Sequence, residues 1–249
     1  EACRDRERVA DLRVVAQETE LQFVGLGEAG EQERCLWSCT DEFSMAARSV
    51  PGRTTQLREA GTVRKLIYSM NASLDGYIAA RGDDIGWSVP SDELHQWFND
   101  RAREIGVSLY GRKLWEVMSA HWPTADQQPD ATPVEVEFAR VWQKTPKVVF
   151  SATLDEVSGN ARLVTGDAVA EITRLKAEDG APMEIGGAVL AGAAMRAGLI
   201  DEYQVVTHPV LVGGGTPFFS ALDTWVNLRL VETRTFPGGV TLSHYESRR

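Results

Sequence analysis

From residue 64 onward, apolar positions alternate between the two-residue period of strands and the 3.6-residue period of helices. An apolar run predicts a strand at 65–71. Leu94, Trp97 and Phe98 fall at helical spacing and predict a helix over Asp92–Arg103, with Ser91 as N-cap and Asp92 and Glu93 in the first turn. A short strand at 107–110 precedes helices over Lys113–Ala120 and Pro133–Gln143, and Lys147–Ser151 has the β-branched content of a buried strand. Next come a short strand at 162–164, a helix at 167–179, a strand at 183–185, a helix at 187–197 and a strand at 202–208. Strand-like runs at 210–212, Leu228–Phe236 and Val240–Ser247 close the chain, the last two joined through Pro237-Gly238-Gly239. This alternation specifies an α/β domain over 63–249: a mostly parallel sheet covered on both faces and ending in an antiparallel hairpin.

Residues 1–62 break the pattern. They sustain no helical or alternating period, hold all three cysteines, and contain no lysine. They read as an extension, loosely ordered or only partly helical. The chain opens on Glu1, and the expectation is either processing or translation from upstream of a natural start near Val63, which the intact mass of protein made from its native gene tests. Cys35 and Cys39 form a CxxxC pair with no second pair and no nearby histidine, short of a tetrahedral zinc site, so no metal is expected.

Of 249 residues, 43% are hydrophobic, enough for a sizeable core, and the net charge of -10 argues against nucleic acid as a partner. No apolar run reaches the roughly 18 residues of a membrane helix and no secretory signal is evident, so the expectation is a cytoplasmic protein acting on a small molecule.

In open α/β sheets ligands bind beyond the carboxyl ends of the strands, and three strands here run directly into glycine. Gly186-Gly187, followed by Ala188 and Val189 at a helix start, has the form of an anion cradle or of a tight turn, and it lacks the GxGxxG spacing. Gly111-Arg112-Lys113 occupies a second such junction, and Ser151 and Thr153 end a third strand with hydroxyls. Asp75-Gly76, between two apolar runs, has the form of a hairpin turn or of a catalytic carboxylate, but it is better read as the lip after the first strand, where Gly76 permits the turn and Asp75 fixes the loop through local backbone hydrogen bonds. Asp92 lies beside Trp87 and Phe98. Burial there would raise its pKa and suit it to proton delivery, whereas a solvated helix-start acid would simply favour the dipole.

The ordered series Ser-Leu-Asp-Gly-Tyr-Ile-Ala, Gly-Arg-Lys, Pro-Lys-Val-Val-Phe-Ser, Gly-Gly-Ala and Gly-Leu-Ile-Asp-Glu-Tyr resembles the dihydrofolate reductase superfamily. Within it the match is to the RibD C-terminal family, the reductase domain of riboflavin biosynthesis, over about residues 64–247. The resemblance implies a three-layer dihydrofolate reductase-like fold and an NADPH-dependent reductase. Asn71 and Ile78 would line the nicotinamide, Arg112 and Ser151 the adenosine ribose phosphate, and Gly186, Gly187, Ala188 and Val189 the pyrophosphate, across a cis Gly186-Gly187 bond. Gly111, Lys113 and Thr153 would complete the cofactor site. Asp92 would be the catalytic acid with Thr207 linked to it, and Asp75, Trp87 and His95 would flank the substrate. Leu114 replaces a pyrophosphate-contacting threonine, and His95 and Gln96 stand where folate enzymes present aromatic residues. Relatives of this type are commonly homodimers, and the same is expected here.

Overall fold

The computed structural model describes residues 64–248. The extension expected over 1–62, with its Cys35 and Cys39, lies outside the described residues. The elements are β1 (Leu66–Ser73), β2 (Tyr77–Ala80), α1 (Asp92–Glu104), β3 (Val107–Gly111), α2 (Arg112–His121), α3 (Pro133–Lys144), β4 (Lys147–Phe150) and β5 (Ala161–Val164). They continue through α4 (Ala168–Lys176), β6 (Met183–Gly186), α5 (Ala188–Arg196), β7 (Glu202–His208), β8 (Gly215–Pro217), β9 (Leu228–Phe236) and β10 (Val240–Ser247).

The main sheet has eight strands in the order β5-β4-β3-β6-β1-β7-β10-β9. Every pairing from β5 to β7 is parallel, and β10 runs antiparallel to both β7 and β9. Alternation along the strands sends Leu66, Tyr68, Leu109 and Ile185 to one face, where they pack with Ile172 and Leu175 of α4 and with Leu190 and Ala194 of α5. The opposite face carries Val206 and Leu242 against Leu94 of α1, and Tyr110 and Val149 against Trp115 of α2 and Trp142 of α3. The result is three layers, helix on sheet on helix.

Local chemistry fixes where these helices start. Ser91 accepts from Leu94 N at 3.3 Å, Thr132 and Glu135 form a capping box ahead of Pro133, and Asp167 accepts from Val169 N and Ala170 N. Asn99 ties α1 to α3 by donating to Val134 O at 2.9 Å and Glu137 Oε2 at 2.8 Å.

One expected strand is absent and one small sheet was not foreseen. Residues 210–212 do not form a strand, and β2 leaves β1 to pair with β8 in a separate two-stranded sheet. The turn at Asp75-Gly76 is therefore no hairpin between adjacent strands. Its partners come from a distant segment: Leu74 N donates to Val210 O at 2.8 Å and Phe218 N to Gly76 O at 2.8 Å.

Candidate active site

The carboxyl ends of β1, β3, β4 and β6 open into one cleft of about 1460 Å³, which runs between the sheet and the α1, α2, α3 layer. Typical small-molecule pockets hold about 300–1,000 Å³, so this one has room for a large ligand and a second, smaller one. Asn71, Ile78, Gly111, Arg112, Lys113, Ser151, Thr153, Gly186, Gly187, Ala188 and Val189 all line it, so the structure brings the expected cofactor residues together.

At the strand ends α2 and α5 begin side by side. A Cβ placed on Gly187 would lie 3.7 Å from Gly111 N, so the two N-cap glycines nearly touch. Neither helix has a side-chain cap or an acid in its first turn, whereas α1, α3 and α4 have both. Two helix N-termini without side-chain caps or first-turn acids thus start side by side, an arrangement whose free N–H groups favour an anion. Gly187 makes the approach at φ 94 and ψ 122, a conformation that L side chains rarely adopt. The Gly186-Gly187 bond is not cis, as no cis peptide occurs among the described residues; Gly187 enters α5 through a positive φ.

The chain matches the RibD C-terminal domain family over residues 64–242. It belongs to that family. Its sequence is 31% identical to the uncharacterized protein YyaP of Bacillus subtilis (strain 168), over 71% of this chain and 92% of that protein. Its fold is similar to that of a putative riboflavin biosynthesis protein from Shewanella sp. PV-4, at 25% identity and a TM-score of 0.60, over 74% of this chain and 99% of that one. It also resembles dihydrofolate reductase from Enterococcus faecalis, solved with NADP(H), at 18% identity and a TM-score of 0.52, over 74% and 97% of the two chains. The three-layer dihydrofolate reductase-like fold expected from the sequence is therefore the one observed. No helix among the described residues is long and apolar enough to cross a membrane.

Around the paired helix N-termini of this RibD C-terminal domain, two cations are held in exposed pairs. Arg112 Nη1 meets Glu116 Oε1 at 2.8 Å, and Lys113 Nζ meets Asp83 across the cleft mouth at 2.7 Å. Ser151 Oγ accepts from Thr153 N and Leu154 N, both at 3.1 Å, and so shapes the turn after β4. Leu114 packs over the glycine pair: a Cβ on Gly186 would meet its Cδ2 at 2.3 Å.

The residues expected at the substrate are only partly assembled. His95 lines the cleft, half-buried beside Trp122 and Phe138; burial lowers its pKa, against opposing pulls from Glu135 and Asp92. Asp92 also lines the cleft, but it is exposed in the first turn of α1 and is not buried against Trp87 and Phe98. Trp87 is not among the lining residues: its Nε1 donates to Asp84 O at 3.1 Å and its ring meets His208 edge-on at 5.6 Å. Asp75 is likewise outside the cleft. Its carboxylate accepts from Ser73 Oγ at 2.6 Å, Gly213 N at 2.8 Å and Val212 N at 3.1 Å, and these bonds hold its pKa down while tying the two loops together.

Thr207 is corrected by register. It pairs with Ala72, a residue of the core on the α4, α5 side, whereas Asn71 pairs with Val206 and Ser73 with His208. Thr207 thus faces away from α1 and cannot be linked to Asp92. His208 takes the inner position instead, buried, with Nε2 at 3.1 Å from Asn71 Oδ1. Burial lowers its pKa, and the contact orients the Asn71 amide. The strand alternation between Val206 and His208 is the sequence signal that finds it.

Sequence reasoning also missed Glu184 and Arg101, both of which line the cleft. Glu184 lies on β6, two residues before the glycine pair, and burial pushes its carboxyl up to about 7 while Arg101 pulls it back.

Proposed function

We propose that this chain is an NADPH-dependent reductase of a small heterocyclic or sugar-like substrate, related in chemistry to the 5-amino-6-(5-phosphoribosylamino)uracil reductase of riboflavin biosynthesis. The observation that carries the reading is the pair of uncapped helix N-termini meeting at Gly111 and Gly187 inside a cleft too large for one small ligand.

The residues present fit the cofactor. First-turn N–H groups of α2 and α5 suit a pyrophosphate, which needs donors and close backbone approach. Arg112 and Ser151, with Lys113 and Thr153 nearby, supply cations and hydroxyls for a ribose phosphate. The pairs to Glu116 and Asp83 do not oppose this, since exposed ion pairs are worth about 0–1 kcal/mol and exchange readily for phosphate. Asn71, oriented by His208, and Ile78 would flank the nicotinamide. When bound, NADPH supplies the hydride, which a C=N or C=O carbon accepts. The protein's tasks are to orient both molecules, to exclude water with the aromatic wall of Trp122, Phe138 and Trp142, and to hold a proton at Asp92, delivered through water.

Nucleotide titration followed by fluorescence tests the cofactor assignment. NADPH should bind saturably and more tightly than NADH, and Arg112→Ala should weaken NADPH about tenfold while leaving NADH little changed. No saturable NADPH binding would refute the reading. With a substrate in hand, Asp92→Asn should lower turnover at least about tenfold and change the pH profile; an unchanged profile and turnover would remove Asp92 from the mechanism.

The exposure of Asp92 favours one second reading, nucleotide binding without turnover. NADPH binding with no reduction of any carbonyl, pterin or pyrimidine compound would establish it. Dihydrofolate reductase activity is the less supported alternative. Gln96 points to Asp100 and Glu137 instead of the cleft, at 3.2 and 3.1 Å, and an assay with dihydrofolate decides.

A further inference from the structure

Glu184 is the most unusual group on the floor of the cleft. It sits between Met183 and Ile185, both fully buried, on the strand flanked by β1 and β3. Register places it beside Ile67 and Ser108, on the face that meets α1, α2 and α3. Its carboxyl has no hydrogen-bond partner among the described residues, although Tyr110 and Arg101 both feel its charge. Glu184 is half-buried, and its unpartnered carboxyl oxygens are open to the cleft, where an incoming donor can reach them.

Arg101, on the α1 wall, is incomplete in the complementary way. Its Nη1 holds Glu104 at 2.5 Å, while its Nε is buried with no partner among the described residues. An acceptor and a cationic donor therefore both border the cleft, and neither satisfies the other. The walls around them are flat and apolar, from Ile105, Phe138 and Trp142.

We propose that Glu184, with Arg101 beside it, anchors the substrate by taking the N–H edge of a planar nitrogen heterocycle in which a ring carbonyl adjoins the N–H. The carboxyl accepts from the ring N–H, and the adjacent carbonyl receives the proton of the neutral carboxyl or lies toward the Arg101 charge. Because burial holds the Glu184 carboxyl near 7, both of its forms are present at neutral pH. The aromatic wall favours a ring over an open polyol, and the carboxyl disfavours an anionic group at this end. Glu184 pairs with Ile67, four residues before Asn71 on β1, so the anchor lies ~13 Å along the strand from the nicotinamide side. The anchored ring is thus the end of the substrate remote from hydride transfer, and its binding orients the reacting end. This meaning as a substrate subsite rests on the reductase reading, whereas the preference for an N–H edge can be measured without turnover.

The probes are 2-pyridone and 1-methyl-2-pyridone, which share a ring and a carbonyl and differ in the N–H. The full chain, with and without NADPH, should bind 2-pyridone about tenfold more tightly by calorimetry or ligand-observed NMR. It should also shift the Glu184 side-chain carboxyl carbon resonance, assigned by its loss in Glu184→Gln, and the methylated probe should not. Glu184→Leu should erase the preference while NADPH affinity stays within about twofold. Equal binding of the two pyridones to the unaltered protein, an unmoved Glu184 resonance, or a preference that survives Glu184→Leu would each overturn the proposal. Failure of the reductase reading is separable: NADPH would not bind, and the pyridone preference would remain.

Discussion

Gly215→Ala is expected to destabilise the domain by about 3 kcal/mol or more and to weaken nucleotide binding along with it. Gly215 opens β8 at φ 142, and a Cβ there would sit 2.0 Å from Ala79 O and 2.8 Å from Ala80 C. Both obstacles are backbone, so no rotamer change relieves them. One strand of the β2–β8 pair has to move. β2 cannot retreat cheaply, because its preceding loop is fixed by Asp75 on Val212 N and Gly213 N, and by Phe218 N on Gly76 O. β8 is anchored in turn by Phe218, whose ring lies 4.4 Å from that of Tyr68 and whose carbonyl accepts from the Tyr68 hydroxyl at 3.0 Å. The displacement therefore falls on Ile78 and Ala79, which line the cleft. Urea melts should show the lost stability, and nucleotide titration of the folded fraction should show the weakened site. A variant with unaltered stability would mean that the β2–β8 contact is not as tight as the geometry gives.

Much of this was legible in the chain because short-range signals specified it. Ser91, Leu94, Trp97 and Phe98 announce α1, and Thr132 and Pro133 announce α3, since caps and helical periodicity act within a few residues. The glycine junctions at Gly111 and Gly187 marked the strand ends correctly. Features that depend on long-range pairing were not legible. β2 and β8 are four and three residues long and meet only because distant loops are zipped together. Thr207 was placed on the wrong face because a motif match carries no register: a one-residue slip exchanges the faces of a strand, and it is the Ala72 pairing that decides. The spacing around Asp92 fits both a carboxyl buried against Trp87 and Phe98 and a solvated helix-start acid, because apolar neighbours in sequence do not say which way a first-turn side chain faces; in the fold it is exposed. Glu184 did leave a signal, an acid inside a short apolar run on a strand expected to be covered on both faces. Its loneliness was visible only once the cleft was built around it.

Two carboxylates on this sheet should bend the pH dependence of stability in opposite directions. Glu202 accepts from His244 Nε2 at 2.9 Å and from Lys65 Nζ at 2.6 Å, and these partners hold its carboxyl down at about 2 against an ordinary 4.5. The unfolded chain takes up a proton there first as pH falls. The stabilisation is complete above about pH 4.5 and is lost on the way down to about 2. Glu202→Gln should cost on the order of 3 kcal/mol near neutrality and little at pH 2. Glu184 behaves oppositely. Burial raises its carboxyl from 4.5 to about 7, so between those values the folded protein keeps a proton that the unfolded chain releases, and stability falls as pH rises through that window. Glu184→Gln removes the loss: it should leave stability unchanged at pH 4 and raise it by on the order of 3 kcal/mol above pH 7. Melts of both variants across pH 3–8 separate the two effects, because they occupy different windows and carry opposite signs. A Glu184→Gln variant no more stable than its parent above pH 7 would mean that protein or ordered water already satisfies that carboxylate, and the case for a ligand there would fall with it.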